Sequence, residues 1–185
     1  MAQKVLFQTA LTDIESTDIE GAGVLRMEED GKVYRWAKNI SASALVANGS
    51  CLKALTSVIG AINKSVRSPD STTAATAQVT IPAGMPVGAM AASGGASFGW
   101  VQVKGPARVN MNMSDTASAA SGWPGRIAVA TSITPATGGW DVPKPLSATS
   151  AETGYMYVHG VRIVTKLAEG TAGAIRSAAV EIMCL

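Results

Sequence analysis

Groups that carry chemistry are scarce in this chain. Histidine occurs once, at His159, and cysteine twice, at Cys51 and Cys184, in 185 residues. One imidazole with no second His or Cys nearby makes no metal pair, and two distant cysteines make no disulfide framework. The expectation is buried, unbridged thiols and a packed imidazole. Charge is also thin: 15% of residues, net +2, with Lys and Arg scattered along the chain. Nucleic-acid binding draws on several phosphate contacts from one face, so no nucleic-acid partner is expected. No apolar run approaches the roughly 20 residues of a membrane helix, so no membrane partner is expected either. The opening MAQKVLFQTALTD places Gln8, Thr9, Thr12 and Asp13 where a leader would need an apolar core. Synthesis in the cytoplasm follows as the expectation.

Patterns that would supply chemistry by themselves are missing too. The glycines between Gly84 and Gly99 lack the Lys-Ser or Lys-Thr of a phosphate loop, and Glu28-Glu29-Asp30 lacks EF-hand spacing. A catalytic site would need carboxylates far apart in sequence, such as Asp115 and Asp141, to converge. The chain is therefore read as a non-enzyme, with no catalytic, cofactor or metal residue. The sequons at Asn39, Asn48 and Asn112 are chance matches in that setting.

What the chain does have is strand and turn signal. The stretch Gly23 to Asn39 reads as a β-hairpin around Asp30-Gly31, a preferred two-residue turn. That loop sets Glu29 opposite Lys32, Met27 opposite Tyr34 and Leu25 opposite Trp36. Leu25, Met27, Tyr34 and Trp36 then share one face, with Arg26, Glu28 and Arg35 on the other. Ahead of it, residues 1–22 read as an extended N-terminal arm, with an edge strand packed on its own domain equally open. Residues 23–185 read as a single β-rich domain.

Beyond the hairpin, Ala42 to Val46 extends a sheet, and Leu52, Leu55, Ile59, Ile62 and Val66 recur at helical spacing behind Ser50. This predicts one short helix at about 51–65. Gln78 to Ile81 is a strand stopped by Pro82 and Gly84. FGWVQV, from Phe98, is apolar enough to be buried on both faces. Lys104-Gly105-Pro106 is expected to turn the chain, and Ala107, Val109, Met111 and Met113 then alternate with polar residues. Further strands are predicted at Arg126 to Ser132, Tyr155 to Leu167 with Gly160 as a bulge, and Ser177 to Leu185 with Val180, Ile182 and Cys184 on one face. The fold class is all-β, a barrel or sandwich with Gly- and Pro-rich loops.

Four tryptophans, Trp36, Trp100, Trp123 and Trp140, are the candidate interface anchors, since aromatic residues in a weakly charged surface suit contacts with partners. A core role for Trp36 and Trp100 is the competing reading.

GVLRMEEDGKVYRWAKN and IPAGMPVGAMAASGGASFGWVQVKGPARV together resemble small virion structural proteins of tailed bacteriophages, of the capsid decoration (cement) type. The likeness spans Gly23 to Val109 and is most specific in DGKVYRW and GWVQVKGPA. It implies a non-enzymatic protein on the capsid exterior, stabilising the shell by binding between its subunits. The implied partners are the major capsid protein and further copies of this chain, with a trimer favoured. The alternatives are another phage component (head fibre, tail part or major shell subunit) or a host-surface carbohydrate module stacking Trp123 or Trp140 on sugar rings.

Overall fold

The computed structural model describes residues 7–54, 63–68, 81–112, 124–128, 140–141, 155–164 and 175–184. These contain eleven strands and no helix, so the all-β expectation holds. In chain order the strands are β1 (Ile14–Glu15), β2 (Leu25–Met27), β3 (Val33–Asn39), β4 (Cys51–Lys53), β5 (Ser65–Arg67), β6 (Pro82–Pro86), β7 (Phe98–Asn112), β8 (Pro124–Ala128), β9 (Trp140–Asp141), β10 (Tyr155–Ile163) and β11 (Ile175–Met183).

Strand β7 organises the rest. Its first half pairs with β3 and β6, and β6, β4, β5 and β3 complete a closed circuit of five strands around it. Its second half pairs with β11 and β9, and β9, β8, β10 and β11 close a second circuit. Strand β7 continues through Lys104-Gly105-Pro106, which was expected to turn, with Gly105 at φ +99°; the two circuits share β7 across this point.

Closure leaves few unpaired strand edges, and it requires the shared strand to be apolar on both faces. Within FGWVQV, Trp100, Val101, Gln102 and Val103 are all buried. Val101 and Val103 face the interior of the first barrel with Val33, Ala37, Cys51, Val66 and Ala83, one or more residues from every strand of that circuit. A second cluster joins Leu52 and Met85, on the other faces of β4 and β6, to Val109, Val161, Ile163, Ala178, Val180, Ile182 and Cys184. The two circuits meet there. The alternation predicted for Val180, Ile182 and Cys184 is observed, and the ladder from β10 to β8 shifts register between Tyr157 and Arg162, around Gly160.

Two further local expectations are corrected. Cys51–Lys53 is a strand, not the start of a helix; it pairs antiparallel with β5 and β6. Leu52 and Val66, two members of the apparent helical stripe, are buried in separate strands, while 55–62 lie outside the described residues. Pro82 and Gly84 do not stop a strand, since β6 runs from Pro82 to Pro86. Proline is tolerated at its ends because the first and last positions of a short strand need not donate to the ladder.

The hairpin is off by one residue. The observed pairs are Leu25 with Arg35, Arg26 with Tyr34 and Met27 with Val33. The loop is three residues, Glu29 to Gly31, closed by Glu28 N–H donating to the Lys32 carbonyl at 3.0 Å and Gly31 N–H to the Glu28 carbonyl at 3.0 Å. Only Gly31 takes a positive φ, +80°. A two-residue type I′ loop would force Asp30 into that region as well, whereas a type I turn followed by one left-handed glycine does not. The shift exchanges the faces: Arg26 joins Tyr34 and Trp36, and Leu25 and Met27 turn away from them.

Candidate functional site

Trp36 and Trp100 are lateral partners across β3 and β7 and are fully buried, with rings 5.2 Å apart at 63°. Together with Tyr34 they form the centre of an aromatic face, completed by Phe7, Leu11, Val87 and Phe98. Phe98 stacks on Trp36 at 6.4 Å, and Phe7 meets Trp100 edge-on at 5.4 Å. Such pairs contribute about 0.5–1.5 kcal/mol each beyond burial.

The cover over this face is the chain's own N-terminal segment. Trp100 Nε1–H donates to Thr9 Oγ1 at 2.9 Å, Thr9 donates in turn to Glu20 Oε1 at 2.7 Å, and Trp36 Nε1–H donates to Asp18 Oδ1 at 2.9 Å. Both indole donors are thereby satisfied by residues that precede the hairpin. Arg26 adds a clamp: its guanidinium lies 5.1 Å from the Phe7 ring centre and 5.8 Å from that of Trp100, and Nη1 donates to the Thr9 carbonyl at 3.0 Å. Ile14 fits where a side chain is missing, since a Cβ on Gly88 or on Gly99 would come within 2.7 Å of its Cδ1. Strand β1 pairs with β7 at the same place. Phe7 to Gly21 is therefore packed on its own barrel, one of the two readings that the sequence left open.

These contacts take Trp36 and Trp100 off the surface of the chain and give them the core role. Trp140 is in β9, paired with Met111 and Ile127 through the backbone, and Trp123 lies outside the described residues. His159 is a residue of β10. The structure thus brings two of the four sequence candidates, Trp36 and Trp100, together.

The exposed feature that sequence reasoning missed is the β2 edge. Val24, Leu25 and Met27 are exposed, Met27 to 77% and Leu25 to 48%. The ladder bonds to β3 run through Val24 and Glu28, so the alternate residues Leu25 and Met27 direct their N–H and C=O groups outward. Among the described residues no strand pairs with that outer edge. The adjoining hairpin tip is polar: Glu28 pairs with Arg26 at 2.5 Å, and Asp30 pairs with Lys32. The Lys32 ammonium holds the Asp30 carboxyl below its usual value, as expected of a solvated ion pair. The signal for this edge was the hairpin loop length, which decides whether Leu25 and Met27 face in or out.

Among the described residues no group of three His, Cys, Asp or Glu side chains is arranged to hold a metal ion. No described helix is long and apolar enough to cross a membrane. Compared with protein-family profiles and with characterised proteins, the chain matches none.

Proposed function

We propose that this chain is a non-enzymatic structural protein of a tailed-phage virion that decorates the capsid and stabilises it by binding between shell subunits. The observation that carries the reading is the resemblance of DGKVYRW and GWVQVKGPA to proteins of that type. Their residues lie side by side on β3 and β7, with Trp36 opposite Trp100. Two further features support it. A β-domain closed around a shared strand loses little conformational entropy on docking, and many modest contacts repeated over a lattice sum through avidity. The apolar β2 edge offers backbone groups and side chains to which a neighbouring strand can add. The partners in this reading are the major capsid protein and further copies of this chain, as a trimer.

The test uses purified protein and expanded heads that lack it. Cosedimentation should saturate at a fixed ratio to shell subunits, and loaded heads should survive heating that opens unloaded ones. No cosedimentation at micromolar protein would overturn the proposal.

A further inference from the structure

Arg35 is the charged residue that the described part of the fold buries, at 7% exposure. It lies between Val33 and Ala37 on β3, and both of those line the interior of the first barrel, so alternation starts the Arg35 side chain from that inner wall. On β4, Cys51 lines the same interior and Leu52 faces the other way, so Lys53 leaves the inner wall as well; it is half-buried. Cys184 N–H donates to the Val103 carbonyl at 2.7 Å, two residues along β7 from Val101, the lateral partner of Arg35. Arg35 acts electrostatically on Lys53 and on Cys51, and Cys184 acts on all three.

Among the described residues no acidic side chain pairs with either cation. The Nε of Arg35 has no hydrogen-bond partner. The ion pairs among the described residues are Arg26–Glu28 and Lys32–Asp30, and neither involves Arg35 or Lys53. Burial pushes both thiols up, Cys184 to about 11, so they are uncharged at neutral pH. Burial, and then Arg35, lowers the Lys53 pKa. An unpaired buried guanidinium is strongly destabilising, whereas one that meets an anion through its planar fork is not.

We propose that Arg35 and Lys53 form an oxyanion-binding site on the inner wall of the first barrel, with the guanidinium as the directional ligand and the ammonium as a point charge. The ligand class is a phosphate or carboxylate group, either a free small anion or the acidic side chain of a neighbouring chain. The site does not depend on the proposed function.

The experiment is an NMR titration of the full-length protein at pH 7, following the Arg35 Nε–H resonance. Inorganic phosphate and acetate are added separately at millimolar concentration against a chloride background of constant ionic strength, below the range of general salt stabilisation. A saturable shift is expected with at least one of them. Response to phosphate assigns a phosphate-type ligand; response to acetate alone assigns a carboxylate-type ligand. Lys53→Met, at a half-exposed position that should not disturb folding, is expected to raise the anion concentration for half-saturation by about tenfold, equivalent to losing one charge-assisted contact. Arg35→Met is expected to fold and to show no anion-dependent change elsewhere in the spectrum. No saturable shift with either anion, or a shift that Lys53→Met leaves unchanged, would overturn the proposal.

Discussion

At the scale of single residues, two positions test how tightly the barrels are closed. Gly84 has φ +131°, and a Cβ there would come within 2.1 Å of the Gln102 carbonyl oxygen on the adjacent strand. Neither the backbone angle nor the contact can be relieved by a side-chain rotation, so Gly84→Ala should cost about 3 kcal/mol or more in urea unfolding. Gly31 also has a positive φ but open space around it, and Gly31→Ala should cost only about 1 kcal/mol. Equal costs at the two sites would contradict the close approach of β6 to β7. Cys184 tests the core from another direction. Its pKa is raised by burial from the ordinary 9.0 to about 11, so the folded state keeps its proton where the unfolded chain releases it. The folded state then binds more protons, and stability falls as pH rises from 9 to 11, by about 1.4 kcal/mol per pH unit for this group. Chemical denaturation at pH 8 and pH 10.5 should show this loss, and Cys184→Ala should reduce it. An identical pH dependence in both proteins would show that the thiol is not buried as described.

At the scale of elements, the sequence announced strands well and their partners poorly. FGWVQV declared its double burial because nearly every position is apolar, and the alternation in Ser177 to Leu185 declared its buried face. The register of the hairpin was not legible because Asp30-Gly31 suits both a two-residue and a three-residue loop. The choice was made by distant residues: Phe7, Thr9 and Trp100 create a face that accepts the Arg26 guanidinium. The helical reading fails at its two ends because Leu52 and Val66, one on each of two short strands, fall at helical spacing with residues 55–62, which lie outside the described residues. The N-terminal segment was ambiguous for a similar reason, since its decisive contact, Thr9 to Trp100, spans 91 positions. Because that segment satisfies both indoles and inserts Ile14 beside Gly88 and Gly99, deleting residues 2–21 should destabilise the barrel by several kcal/mol, a loss comparable to removing several buried side chains. Tryptophan fluorescence should shift to the red in the truncated protein. An unchanged emission maximum and unfolding midpoint would mean that the segment is dispensable to the fold.

At the scale of the whole molecule, the described residues form a closed β-structure whose aromatic centre is spent internally, and three of their six exposed large apolar side chains, Val24, Leu25 and Met27, line the β2 edge, the others being Ile40, Val164 and Met183. Of the interface candidates, Trp36 and Trp100 were legible as core aromatics, the competing reading, but not as a face already covered by their own chain. The β2 edge became visible only with the hairpin register in hand. Together with the motif likeness, that edge directs the functional reading to assembly on a repeating surface, where a weak contact made many times suffices. The most direct measurement is an electron cryomicroscopy reconstruction of a virion that contains this chain. The account predicts β-domain density on the outside of the head, repeated at every equivalent shell position, with the β2 edge against a neighbouring subunit. Finding the chain in a few copies in the tail, or on the inner surface of the shell, would contradict it.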